Sequence, residues 1–401
     1  MFGLGSLVAA LSGSAAVLIT GRALQGLGAA ALAPASLALL MVVFVPGRDR
    51  DRALAVWGGV SASGTAVGLI LGGVLTKFLT WPWVFWVTVP VAAVAVVSAG
   101  LVLPESRAAC SERFDAAGAL LVTAGLGGLV LGLVQSAEYG WTAPGALPVL
   151  FVAAGLLLAF GRLQVRRPHA LVPTRLLRDP AMLGGNVTGL ILGAVIWAMF
   201  YFLSLFMGGT LGYGPVMVGL AFLPMAAAIA AASALAGLVM RRTGPRPLLI
   251  FSTLLTTVAL ASLTRIAPDS TYPGALLPAF LLAGLGLGIA FVALATVAVG
   301  SAPAQDRGVA AALFNAGQQI GGAIGLAVLT AVSMARTRSP TVPGAEPAPD
   351  AITQGWSLGF VTATGLMLVG LLVIFATVRT RPMAVVSSRQ GSASHRHGRT
   401  Q

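Results

Sequence analysis

One arginine set among apolar residues carries the clearest chemistry in this 401-residue sequence. Leu18–Ala31 reads L-I-T-G-R-A-L-Q-G-L-G-A-A-A, and the apolar segment around Arg22 continues to Phe44 with no other charge. An ionisable group inside a membrane is costly, and it marks a functional position by default. On a helix Arg22 and Gln25 stand three residues apart, sharing a face with Gly26 beside them. Two readings follow. Either that face packs inside a helix bundle, or Arg22, roughly 10 Å from the segment's start near Ala15, reaches back to the nearer interface.

The other ionisable groups sit elsewhere. All eleven carboxylates, Asp49 and Asp306 among them, fall in loops or at helix ends, and so do the three histidines. No membrane-embedded acid is available to carry a proton. Nothing matches the phosphate-binding pattern G-x-x-x-x-G-K-[ST], and no nucleophile stands beside a base, so neither an ATP-driven pump nor an enzyme is expected. With a single cysteine, Cys110, no cofactor, metal site or internal disulfide is expected either. The polar residues left inside the apolar segments are neutral: Gln25, Asn186, Thr188, Asn315, Gln318 and Gln319. They suit a wet cavity for a moderately apolar solute, or equally interhelical hydrogen bonds of about 1 kcal/mol each. Gly64, Gly68 and Gly72 form a small-residue stripe that admits a close backbone, in service of movement or of static packing alone.

These residues need membrane-spanning helices to hold them. The sequence is 57% hydrophobic and only 9% charged, against about a quarter charged in soluble domains, so it is an all-α polytopic membrane protein whose first partner is the lipid bilayer. Eleven segments are long and apolar enough to cross: Ala15–Phe44, Ala53–Lys77, Trp83–Leu103, Ala116–Gln135, Gly145–Gly161, Met182–Met207, Val216–Met240, Leu248–Ile266, Ala275–Gly300, Val309–Ala335 and Trp356–Val378. Before them, Phe2–Leu11 reads as half of a further span; a signal peptide would need a basic leader that is absent. Counted over alternate loops, nineteen basic residues fall on one side and four on the other. The positive-inside rule then places the Pro46–Arg52 loop and the tail after Arg379 in the cytoplasm and the Ser339–Asp350 loop outside. It also accounts for the net charge of +13 without any nucleic-acid partner.

The chain repeats itself in the same orientation. P-G-R-D-R at Pro46–Arg50 recurs as P-A-Q-D-R at Pro303–Arg307, so Asp49 and Arg50 match Asp306 and Arg307. Gly64 and Gly68 match Gly321 and Gly325 at the same offset of 257, as Trp57 matches Phe314. Parallel duplication is a known plan for transporter halves, with the transport path between them. The segments Ala116–Gln135 and Gly145–Gly161 have no counterpart and read as two linker helices.

R-A-L-Q-G-L-G-A-A, followed by L-A-P-A-S-L, resembles the fourth-helix motif of the fourteen-span drug:proton antiporters of the major facilitator superfamily. The resemblance implies a proton-coupling role for Arg22, with Gln25 beside it. G-T-A-V-G-L-I-L-G-G, Gly64 to Gly73, is similar to that family's antiporter motif, with Leu69 where the motif has proline. W-P-W-V-F-W-V-T-V-P at Trp81–Pro90 resembles its next segment, with Pro82 in place of arginine. L-G-Y-G-P-V-M-V-G-L-A-F-L-P at Leu211–Pro224 and F-N-A-G-Q-Q-I-G-G-A-I-G at Phe314–Gly325 resemble its second half, and G-L-V-M-R-R-T-G-P-R at Gly237–Arg246 looks like a degenerate cytoplasmic-loop motif with Arg241 in place of aspartate.

What the resemblance implies is a major facilitator fold with an incomplete first bundle over residues 1–103, linker helices and loops over 104–175, a six-helix second bundle over 176–380 and a disordered cytoplasmic tail over 381–401. Counted against the family, the chain starts midway through helix three, a truncated N-terminus whose missing two helices are expected to be encoded upstream or disrupted. The implied function is multi-pass plasma-membrane export of small apolar compounds of the drug and antibiotic class, driven by protons and without a nucleotide. The alternative is a remnant that does not transport, or a structural or interacting membrane protein.

Overall fold

The computed structural model describes residues 1–44, 64, 67–68, 71–102, 115–139, 145–167, 171, 176, 178–300, 302, 306–337 and 349–378. Regular structure among them is helical throughout, as hydrocarbon requires of a chain that cannot leave backbone groups unpaired. Ten of these helices are long and apolar enough to cross a membrane, and they match ten of the eleven expected spans. The eleventh, Ala53–Lys77, lies mostly outside the described residues; residues 71–77 of it are helical.

The chain opens with a helical hairpin. Helix α1 (Phe2–Ala10) and α2 (Ala15–Val43) run antiparallel, with Phe2 beside Gly28 and Ala9 beside Gly21. A short α3 (Trp83–Trp86) and α4 (Thr88–Val102) pack against α1. Next come α5 (Ala116–Tyr139) and α6 (Ala146–Arg166), which pair with each other, while α5 also leans on the later helix α12 (Arg307–Thr337). Helix α6 runs past the expected end at Gly161 to Arg166. Arginine forms helix well, and a cation suits the negative end of the helix dipole, so the helix outlasts its apolar stretch.

Most of the buried core belongs to the second half. Its members are α7 (Pro180–Gly209), α8 (Pro215–Ala221), α9 (Leu223–Thr243), α10 (Pro245–Leu263), α11 (Leu277–Gly300), α12 and α13 (Pro349–Thr377). Local chemistry fixes the joints. Asp179 caps α7 by accepting from the Ala181 amide at 3.0 Å, with Pro180 in the first turn where its missing N–H costs nothing. Between α9 and α10, Gly244 adopts φ 78°, donates to the Met240 carbonyl and hands over to Pro245, a left-handed cap of the kind that favours glycine. The two halves touch where α2 meets α12 and where Gly73 meets Pro215.

Asp115 secures the α5–α6 hairpin. Its carboxylate accepts from the Gly118 amide at 3.0 Å, from Gln164 Nε2 at 3.1 Å and from Arg167 Nη1. The amide hydrogen bond, the Gln164 contact and the Arg167 cation together hold its pKa below the usual 3.8, against the opposing effect of burial. A depressed folded-state pKa means that the stabilisation is complete above the unfolded value and is lost as pH falls through the folded one. Asp115→Asn is therefore expected to lower the thermal midpoint of the purified protein at neutral pH and to remove part of its acid sensitivity below about pH 4. Unfolding curves of both proteins from pH 7 downward check this; parallel curves would show that the clamp contributes nothing.

Candidate functional site

The α1–α2 hairpin brings Arg22 into a polar chain. Its Nη1 donates to Gln25 Oε1 at 2.6 Å, Gln25 Nε2 donates to Ser6 Oγ at 2.8 Å, and Ser6 Oγ donates to the Phe2 carbonyl at 3.0 Å. Phe85 lies to one side, its ring centre 5.8 Å from the guanidinium carbon. Gln25 and Ser6 are buried while Arg22 is exposed, so the amide transmits the interior contact to an accessible cation. Among the described residues no carboxylate is ion-paired with Arg22. On insertion scales a mid-membrane arginine costs about 2.5–3.5 kcal/mol, and a hydrogen bond to a charged group returns about 1.5–3. The Gln25 bond is therefore large enough to decide where the guanidinium points.

The glycine beside this pair is not the one that packs. Gly26 is exposed and a Cβ there would meet nothing within 4 Å, whereas Cβ atoms at Gly21 and Gly28 would strike the α1 backbone at Ala9 and Phe2. Those two glycines flank Gln25 at minus four and plus three, the true contact face of α2. Ser6 was not singled out in the sequence because its partner lies 19 residues away across the hairpin.

The expected cavity residues divide into three groups. Residues 186, 190 and 194 of α7 lie against 317, 321 and 325 of α12, an unchanging step that makes these helices parallel. Asn186 and Gln318 stand in this seam: Asn186 Nδ2 donates to the Met182 carbonyl at 2.9 Å, while Asn186 Oδ1 and Gln318 Nε2 are buried without a partner among the described residues. Asn315 and Gln319 lie on an exposed face of α12, and Asn315 Nδ2 donates to the Ala311 carbonyl at 3.0 Å. Thr188 is buried on the side of α7 toward Gly370 of α13.

In the antiporter-motif helix, Cβ atoms at Gly64, Gly68 and Gly72 would meet nothing within 4 Å among the described residues. Gly73 makes the close approach instead, where a Cβ would lie 2.6 Å from the Pro215 carbonyl oxygen. The second-half copy behaves differently: Cβ atoms at Gly321 and Gly325 would collide with Leu190 and Ala194. Asp49 and Arg50 lie outside the described residues; Asp306 is buried directly before α12, and Arg307 is that helix's first residue.

The family model of the Major Facilitator Superfamily matches residues 1–326, and the chain belongs to that superfamily of membrane transporters. Its relatives include the puromycin resistance protein pur8 of Streptomyces alboniger, 35% identical over 98% of this chain and 79% of the relative. The tetracenomycin C resistance and export protein of Streptomyces glaucescens is 33% identical over 84% of this chain and 62% of the relative. The cephamycin export protein CmcT of Amycolatopsis lactamdurans is 37% identical over 83% of this chain and 69% of the relative. The chain thus spans between 62% and 79% of the length of these three proteins.

Proposed function

We propose that this protein exports small, largely apolar compounds of the antibiotic class across the plasma membrane, with protons entering in exchange and Arg22 as the coupling residue. The observation that carries the reading is the Arg22–Gln25–Ser6 chain, an exposed cation on a membrane hairpin aimed by buried neutral groups. A guanidinium aimed that way can attract or repel a charged group elsewhere in the path. Relatives whose names include puromycin resistance and tetracenomycin C and cephamycin export support the substrate class. The reading divides the chain into a first-half bundle (1–103), a linker pair (104–175), a six-helix second bundle (176–380) and a cytoplasmic tail.

Cells producing the protein are expected to accumulate less puromycin than cells lacking it, and to lose the difference when a protonophore is added. Equal accumulation across a panel of apolar antibiotics would remove the reading. The orientation is checked by single cysteines in a Cys110→Ala background: one at Ser388 is expected to react only after the membrane is permeabilised, and one at Thr341 in intact cells. The reverse pattern would turn the proposed topology over.

A further inference from the structure

Helix α6 turns one face to the protein and the opposite face outward. Leu150, Ala153 and Leu157 meet three glycines of α5, and Gln164 is buried on the same side. Half a turn away, Phe151, Gly155, Leu158, Arg162 and Arg166 recur at three- and four-residue steps, and all five are exposed. Phe151 is 74% accessible and Leu158 67%. A Cβ at Gly155 would meet nothing within 4 Å, so a notch lies between those two side chains.

This outer stripe ends in cations. The 21 residues of α6 give it a length of about 31 Å, close to the ~30 Å thickness of the hydrocarbon. Arg166 is the last residue of the helix, and Arg162 stands one turn, roughly 6 Å, inside it. Both long side chains therefore reach the boundary between acyl chains and headgroups. Their neighbour Arg167 is committed to Asp115, whereas Arg162 and Arg166 make no ion pair or hydrogen bond among the described residues. Two whole positive charges outweigh the half negative charge at the carbonyl end of a helix. Guanidinium groups match phosphate oxygens, and a pair four residues apart on one helix face can grip a phosphate from two sides.

We infer that the outer face of α6 holds an anionic phospholipid, its phosphate between Arg162 and Arg166 and an acyl chain laid along Leu158 and Phe151 across the notch at Gly155. A zwitterionic lipid presents the same phosphate but brings its own ammonium group toward the two guanidiniums, so it binds more weakly. Free phosphate has no chain to lay along the apolar stripe. The bound lipid fastens the α5–α6 hairpin to one leaflet, and α5 carries that contact to α12. The site stands apart from the export reading; only its leaflet, the inner one, follows from the proposed orientation.

The test titrates the purified full chain, in a neutral detergent, with palmitoyl-oleoyl phosphatidylglycerol or the matching phosphatidylcholine, and reads the lipid-bound species by native mass spectrometry. The first phosphatidylglycerol is expected to bind at least about tenfold more tightly than the first phosphatidylcholine, each arginine contributing about fivefold. Arg162→Gln/Arg166→Gln is expected to bring the two lipids to the same affinity. Gly155→Leu fills the notch, keeps both charges and is expected to weaken phosphatidylglycerol several-fold. Arg265→Gln, just past the end of α10, removes a charge elsewhere and is expected to change nothing. Should the double variant fail to fold, Arg162→Gln alone is expected to weaken binding about fivefold. An excess of inorganic phosphate is expected to leave the lipid bound, and its displacement would make this a bare anion site and overturn the inference. Equal affinity for the two lipids would overturn it too, as would undiminished phosphatidylglycerol binding in the folded double variant.

Discussion

Gly321→Leu is expected to leave almost no folded protein, even though it exchanges one helix-compatible residue for a better helix former. In lipid, helices gain little from hiding apolar surface from each other and associate instead through close packing. The α7–α12 seam is built on that closeness. Gly193 of α7 approaches the Gln318 carbonyl, and Gly321 and Gly325 of α12 approach Leu190 and Ala194. A Cβ at Gly321 falls on the Leu190 backbone, which cannot rotate away as a side-chain tip would. Gly321→Ala therefore costs about 1–3 kcal/mol, the ordinary range for overpacking, and Gly321→Leu exceeds it. The control is Gly26→Ala, where a Cβ meets nothing and the helix gains intrinsic propensity, so stability holds or rises slightly. The monodisperse fraction after detergent extraction, followed on heating, separates the three. If Gly321→Leu melts with the wild type, the seam is looser than its geometry.

That contrast also marks what a sequence can disclose. Spans were legible because about 20 apolar residues are needed to cross a membrane, whatever the neighbours. The offset of 257 between Gly64–Gly68 and Gly321–Gly325 was legible as register. It did not disclose that Gly321 and Gly325 press on α7 while Gly64 and Gly68 meet no described residue within 4 Å, because contact belongs to the neighbour as much as to the motif. Within α2, the pairing of Arg22 with Gln25 was legible from a spacing of three, yet the packing glycines are Gly21 and Gly28, since the direction from which α1 arrives is not written in α2. Asp115 was legible only as one of the carboxylates in loops or at helix ends. Its partners Gln164 and Arg167 lie 49 and 52 residues on, beyond any local pattern.

Arg22→Ala is expected to abolish proton-coupled export while leaving the protein inserted. Removing a charge from the membrane segment favours insertion by up to about 2.5–3.5 kcal/mol, so lost function cannot be laid to failed assembly. The alanine does leave Gln25 Oε1 without its donor, but Gln25 keeps its bond to Ser6 and the α1–α2 glycine contacts remain. Gln25→Ala keeps the charge and frees its direction, with the Phe85 ring left beside it. It is expected to lower coupled export severely without changing protein abundance. Arg22→Lys retains charge but not the planar donor that meets Gln25, and is expected to rescue poorly.

The most direct test follows protons rather than drug. Everted vesicles containing the full chain are acidified inside through respiration, and puromycin is added while a pH-sensitive dye reports the gradient. The account predicts an immediate release of protons from vesicles with the wild-type protein, and none from vesicles with an equal amount of inserted Arg22→Ala. Proton release of the same size from both proteins would contradict the assignment of coupling to Arg22.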